Sequence, residues 1–307
     1  MRLGFLYAGQ GSQHPGMGAD LYEAYPAFRA VYDGVRLDFY LKEVSFTDGR
    51  GVLNQTQYTQ PCMVAFAAGL TAVLAEKGIV PEAAAGLSLG DYSALHAAGV
   101  FDAETAVALA AFRGAAMAEA AAGIDSAMVA VLGMAREPLL RACEAASARG
   151  VVTIANYNCP GQLVIGGERA AVEEALRLAK EAGARRCVPL KVSGPFHTAL
   201  MAPAGEKLRA RFADMQFGSM RIPVIFNCLG DVMGPGDSIP ALLVCQVQSS
   251  VYMEDSIRRM AAMGLDALVE IGPGKALSGF AKKIAPDMPV HAVETVADVE
   301  RLMEVLA

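Results

Sequence analysis

Histidine is scarce in this chain, with His14, His96, His197 and His291 the only four in 307 residues. None belongs to an H-E-x-x-H pair, so a catalytic metal is not expected. The six cysteines (Cys62, Cys143, Cys159, Cys187, Cys228 and Cys245) are widely spaced and form no C-x-x-C pair. That pattern argues against both a structural zinc site and a disulfide-stapled secreted scaffold, and points to reduced thiols. Basic residues are outnumbered, 26 Lys and Arg against 32 Asp and Glu, with the two signs interspersed. A nucleic-acid ligand would call for a concentrated basic surface, so none is expected. Long apolar runs are also missing. The longest, Met63 to Ala75, is too short to span a bilayer, and the N-terminus runs into a strand-like Leu3-Gly4-Phe5-Leu6-Tyr7 with no signal-peptide architecture. No linker, low-complexity tract or repeat interrupts the chain. A cytoplasmic protein that binds neither membrane nor nucleic acid is the expectation.

What is present is a globular composition, 54% apolar and 19% charged, with ample material for a core. Short apolar runs alternate with helical segments. Leu3 to Tyr7 reads as a strand, Asp20 to Val35 and Cys62 to Lys77 as helices, and Ala103 to Ala121 as a further helix. Such alternation predicts an α/β fold with a mainly parallel sheet. The middle of the chain changes character. A strand at Ala127 to Leu132 is followed by a helix at Glu137 to Arg149 and a strand at Val151 to Ala155. The turn Asn158-Cys159-Pro160-Gly161 leads into a strand at Gln162 to Ile165, then a helix at Glu168 to Ala182 and a strand at Arg186 to Leu190. The order β-α-β-β-α-β is that of a ferredoxin-like unit. A small inserted subdomain over 124–192 is therefore expected, within a discontinuous large α/β domain made of 1–123 and 193–307. The cleft between them is the expected substrate site. Beyond the insertion, helices are read at Leu200 to Phe212 and Met253 to Met263, with strands at Val224 to Phe226 and Ala267 to Ile271.

Gly86-Leu87-Ser88-Leu89-Gly90 has the form of a nucleophile elbow. It follows the apolar Ala83 to Ala85 and opens a helical segment at Asp91 to Ala98. Serine at such a strand-to-helix bend is pushed out of the sheet, and small flanking residues permit the bend. The helix that follows aims its free N–H groups at the place where an oxyanion would form. The serine needs a base. His96 lies two helical turns beyond it, whereas His197 sits in Ser193-Gly194-Pro195-Phe196-His197, where the small subdomain hands back to the large one. His197 is the preferred base. Gly9-Gln10-Gly11-Ser12-Gln13 follows the first strand but lacks the last glycine of G-x-G-x-x-G, so a dinucleotide site is disfavoured. The backbone N–H of Gln10 is better read as a second oxyanion donor. Gly272-Pro273-Gly274-Lys275 lacks Walker spacing and reads as a turn.

These motifs recur in a fixed order with Gln57-Tyr58-Thr59-Gln60-Pro61, Asp91-Tyr92-Ser93-Ala94, Arg113-Gly114, Asn156-Tyr157-Asn158-Cys159-Pro160-Gly161-Gln162, Phe196-His197 and Glu270-Ile271-Gly272-Pro273-Gly274. The series resembles the malonyl-CoA:acyl carrier protein transacylases of type II fatty-acid synthesis, over essentially the whole chain. The resemblance implies an α/β-hydrolase-like large domain and transfer of malonyl from malonyl-CoA to a phosphopantetheine thiol of acyl carrier protein, with no cofactor and a monomeric enzyme. It implies Ser88 as nucleophile, His197 as base, and Gln10 and Leu89 as oxyanion donors. It further implies Arg113 as the partner of the malonyl carboxylate, Gln60 as a pocket residue, and Gln246 as the residue whose carbonyl orients the histidine. Gln248 is a rival for that last role, because Val244-Cys245-Gln246-Val247-Gln248 matches loosely. Leu87 also departs from the histidine that many members carry before the nucleophile. Two other readings compete. One is a serine esterase or thioesterase of the α/β-hydrolase type using Asp266 and His291, and the other is a non-catalytic protein that docks carrier protein.

Overall fold

The computed structural model describes residues 1–306. Two compact units divide the chain. The first comprises Met1–Ala115, Gln216–Phe226 and the chain from Ile257 onward. Its strands are β1 (Leu3–Tyr7), β2 (Ala83–Gly86), β7 (Val224–Phe226), β9 (Ala267–Ile271) and β10 (Val290–Val293). They run in the order β10-β9-β1-β2-β7 and all neighbouring pairs are parallel. β1, β2, β7 and β9 are buried at every position, which is why they read as continuous apolar runs rather than alternating ones, interrupted only by the buried Glu270 of β9. Tyr7 is level with both Gly86 and Ile271. The loops after β1, β2 and β9 therefore leave from the same edge of the sheet. β1 lies between β2 and β9, and the carboxyl ends of strands around such a reversal are where open α/β sheets hold ligands.

The helices of this unit begin with α1 (Ala19–Ala24) and α2 (Pro26–Gly34), which replace the single helix expected over Asp20 to Val35. Pro26 explains the break, since it holds the preceding Tyr25 extended (φ −120°, ψ 116°) and suits the first turn of a new helix. After α3 (Leu41–Phe46) comes α4 (Thr56–Glu76), which starts six residues before the expected Cys62. Pro61 falls inside it, where its missing N–H deprives the Gln57 carbonyl alone of a partner. At 21 residues α4 is long and apolar enough to cross a membrane, but 78% of its most apolar stretch is buried within the protein, as befits a core helix. α5 (Gly90–Ala97) follows the elbow, α6 (Ala103–Ala121) begins in this unit, and α12 (Ala276–Ile284) and α13 (Val296–Leu306) close it.

The second unit comprises Ala116–Met215 and Asn227–Ser256. It contains β3 (Ser126–Leu132), α7 (Arg136–Ala146), β4 (Val152–Cys159), β5 (Gln162–Glu168), α8 (Arg169–Glu181) and β6 (Arg186–Pro189). The sheet order β4-β5-β3-β6, antiparallel throughout, is that of a ferredoxin-like unit. Val129, Val131 and Ile165 from the sheet pack with Leu139 and Cys143 of α7 and with Val172 and Ala175 of α8. On the outer face of α8, Arg177 bridges Glu174 and Glu181. β4 runs on to Cys159, past the expected end at Ala155. The reason is a second partner: Tyr157 N–H donates to Val251 O and Val251 N–H to Ala155 O, each at 2.8 Å. Tyr157 also stacks on Tyr252 at 4.9 Å. Such contacts draw segments outside 124–192 into this unit. They include α9 (Ala202–Phe212), the two-residue β8 (Asp231–Val232), α10 (Ile239–Val247) and the start of α11 (Met253–Ala261).

Candidate active site

The elbow forms because β2 is all small residues and ends against a helix start. Ser88 stands in the left-handed region at φ 57°, a conformation that a non-glycine residue adopts only when its surroundings impose it. Leu87 N–H donates to Tyr7 O at 2.9 Å and Gly90 N–H to Leu87 O at 3.0 Å, which pins the bend on both sides. A Cβ on Gly86 would lie 2.0 Å from the Gly90 carbonyl carbon, so nothing larger than glycine fits there. The β1 loop also passes close, for a Cβ on Gly9 would lie 2.6 Å from Leu87 O. Leu89 is the residue that caps α5. Its N–H thus belongs to the unpaired first turn of a helix, where the dipole favours negative charge. Gln10 follows Gly9, and its side-chain amide donates to Thr56 Oγ1 at 3.1 Å.

Arg113 projects from α6 and is completely buried. Its Nη1 donates to Gln60 Oε1 at 2.7 Å and its Nη2 to Ser88 Oγ at 3.0 Å. The guanidinium also sits 5.7 Å above the centre of the Tyr92 ring. Burial pulls its basicity down, and the nearby Tyr92 and Asp91 partly offset this. An arginine remains charged even so. A fixed, water-excluded cation thus stands one hydrogen bond from the elbow serine. Tyr92 was not foreseen as part of this group. It stands in the first turn of α5, directly after the elbow.

His197 is buried, in the left-handed region at φ 61°. Its Nδ1 lies 2.9 Å from the Gln246 carbonyl oxygen. A carbonyl only accepts, so Nδ1 carries the proton and Nε2 is left with its lone pair, the tautomer a general base requires. The carbonyl that meets the imidazole is therefore that of Gln246, not Gln248. α10, which carries Gln246, had no helical signature in the sequence: Ile239–Val247 is apolar on nearly every side. The turn from Pro195 to Thr198 that carries His197 is fixed by Thr198 Oγ1 donating to Pro195 O at 2.7 Å.

The other histidines are occupied differently. His96 Nδ1 is bonded to Phe101 O at 3.0 Å, and burial pushes its pKa down. His14 pairs with Glu294. Asp266, the acid that an esterase triad would need, accepts from Arg2 N–H and immediately precedes β9. It therefore lies at the opposite edge of the sheet from the elbow. Among the described residues no group of three or more His, Cys, Asp or Glu side chains is placed to hold a metal ion.

A serine on a strained elbow, donors from a helix start and an imidazole tethered by a backbone carbonyl are the parts of a serine acyl-transfer enzyme. The chain belongs to the acyl transferase domain family, which matches residues 4–294, and within it to the malonyl-CoA–acyl carrier protein transacylases. It is 40% identical over 308 residues to the malonyl CoA-acyl carrier protein transacylase of Bacillus subtilis, covering 99% of this chain and 97% of that one. The Haemophilus influenzae protein of the same name is 39% identical, with 99% of each chain covered. Among solved structures, the MCAT of Streptococcus pneumoniae superposes with a TM-score of 0.95 at 46% identity, covering 99% of this chain and 100% of that one. A malonyl-transacylase in complex with a type II polyketide-synthase acyl-carrier protein gives the same TM-score at 36% identity, with 99% and 100% covered.

Proposed function

We propose that this protein carries a malonyl group from malonyl-CoA to the phosphopantetheine thiol of an acyl carrier protein, in fatty-acid or polyketide synthesis, through a malonyl ester on Ser88. The observation that carries this reading is the buried Arg113 guanidinium donating to Ser88 Oγ at 3.0 Å. A cation in that position meets whatever the serine bears, and its planar fork suits the free carboxylate of a malonyl group.

In the first half-reaction Ser88 Oγ attacks the thioester carbonyl while His197 Nε2 takes its proton. The oxygen that becomes negative is met by the N–H groups of Gln10 and Leu89. Collapse breaks the carbon–sulfur bond, and the imidazolium returns the proton to the departing CoA thiolate. The malonyl carboxylate pairs with Arg113, with Gln60 steadying the guanidinium from its other side. In the second half-reaction the carrier thiol gives its proton to His197 and attacks the ester, and Ser88 leaves with that proton. A backbone carbonyl in place of a carboxylate fixes the imidazole tautomer but stabilises the imidazolium less. A thioester, a better acyl donor than an amide, tolerates that.

The test is intact-mass spectrometry after brief exposure to malonyl-CoA without carrier protein. The native chain gains one malonyl group, Ser88→Ala gains none, and His197→Ala gains it orders of magnitude more slowly. An adduct on Ser88→Ala refutes the assignment.

A further inference from the structure

Both ring nitrogens of His14 face groups that can only accept. Nδ1 is 3.0 Å from the Pro15 carbonyl and Nε2 is 2.5 Å from Glu294 Oε1. Satisfying both contacts takes two N–H donors, which only the imidazolium has. The other oxygen of the same carboxylate, Glu294 Oε2, accepts the Gly274 N–H at 2.9 Å. Glu294 itself directly follows β10. One carboxylate therefore ties together the loops that leave the carboxyl ends of three adjacent strands, β1, β9 and β10. The β1 loop so held is the one that carries Gln10. Its other ties to neighbouring elements include neutral ones: Ala8 N–H to Ile271 O and Gly16 N–H to Ser45 O, each at 3.0 Å, Gln10 to Thr56, and Gln13 to Asn54 at 2.8 Å.

We propose that His14, charged and clamped by Glu294, is a positioning residue for the Gln10 oxyanion donor, and that the clamp opens when His14 loses its proton. Gln10 is two residues from Ser12 and four from His14, so a shift of the loop moves its N–H relative to the elbow. An oxyanion donor works only when aimed beforehand at the developing charge. The sign follows from the pairing. The contacts with Pro15 and Glu294 raise the His14 pKa above its ordinary value. The clamp is thus intact below the ordinary histidine range and is lost as pH rises through the folded-state value. The other ionisable groups on the joined elements are Asp20 of α1, Glu270 of β9, Lys275 before α12, and Asp298 with its partner Arg301 on α13. Asp298 binds the Glu294 and Thr295 N–H groups and Glu270 caps α12 through the Leu277 and Ser278 N–H groups. Neither replaces the His14 contact.

The inference rests on the reading of Gln10 above. It is tested by measuring kcat for malonyl transfer and KM for malonyl-CoA from about pH 6 to 9, the range that spans histidine titration. Native protein, His14→Gln, His14→Lys and Glu294→Gln are compared, with the His14 imidazole followed by nitrogen-15 NMR. His14 is half exposed in this pair, so the expected loss of kcat on opening the clamp is roughly two- to fivefold, the range for solvent-accessible pairs. KM stays unchanged. The native kcat falls by that factor as the NMR signal of His14 titrates, His14→Gln shows the lower value at every pH, and His14→Lys keeps the higher value with no such step. Glu294→Gln moves the His14 midpoint down. The idea is overturned if His14→Gln matches the native profile, if its loss is not relieved by lysine, or if the His14 midpoint is the same with and without Glu294. Whether the malonyl adduct forms on Ser88 at all, as opposed to how fast, is decided by the mass assay whatever these outcomes, so failure of the clamp and failure of the acyl-transfer reading are told apart.

Discussion

Arg113→Ala separates recognition of the malonyl group from the chemistry. The side chain is fully buried and joins Gln60 to Ser88. Its removal leaves the incoming carboxylate in a largely dry pocket without a cation. Truncating one side of a buried charge pair costs about 2–5 kcal/mol, which is roughly thirtyfold to several thousandfold in kcat/KM. The Gln60 amide can turn its NH2 toward the carboxylate and recover part of this, so the lower half of that range is expected. Acetyl-CoA presents no carboxylate and forfeits only the hydrogen bond from Nη2 to the serine. The malonyl-to-acetyl ratio falls by the malonyl loss less this smaller acetyl loss, about tenfold or more. The assay is steady-state transfer from each donor to holo carrier protein, run beside thermal unfolding to show that the variant is folded at the assay temperature. Arg113→Lys should fall between, because a single ammonium cannot bridge Gln60 and the carboxylate as a planar fork does. Equal losses for malonyl and acetyl donors in a folded Arg113→Ala would refute the reasoning and make the arginine structural.

Two further outcomes follow from the geometry. Gly86→Ala places a Cβ 2.0 Å from the Gly90 carbonyl carbon, so the elbow must shift; expression as insoluble protein or a Tm drop of many degrees, with loss of Ser88 acylation, is expected, and a native-like Tm with full acylation would contradict it. Arg185 and Arg186 are exposed cations at the start of β6, candidates together with Lys180, Lys191, Lys282 and Lys283 for docking an acidic carrier protein; reversing both arginines to Glu should raise the carrier-protein KM and weaken its salt dependence while Ser88 acylation by malonyl-CoA is unchanged, and an unaltered KM would place docking elsewhere.

Much of the fold was legible because it is written in short-range chemistry. The buried runs of β1, β7 and β9 and the alanine-rich α6 were readable at or within a residue of their observed ends. The βαββαβ order followed from turn residues and period alone. The misreadings have local physical causes. Pro26 splits one expected helix into α1 and α2. Thr56 to Pro61 joins α4 because a proline in the early turns of a helix sacrifices little. α10 is apolar on all sides, and a run of that kind carries no period by which helix and strand can be told apart.

For the site the division is similar. The bend at Ser88, the glycines that permit it and the helix start behind it are encoded within five consecutive residues, and the ordered motifs sufficed to indicate acyl transfer. The meeting of Arg113 with Ser88 and with Gln60 spans 25 and 53 residues, and that of His197 with the Gln246 carbonyl spans 49. The choice of Gln246 over Gln248, the seat of Arg113 above Tyr92 and the clamp between His14 and Glu294, 280 residues apart, are likewise matters of tertiary structure. Local propensity sets where a chain bends and which faces it buries. Which distant side chains then share a hydrogen bond depends on strand order and on the depth at which helices pack, and those are properties of the assembled fold.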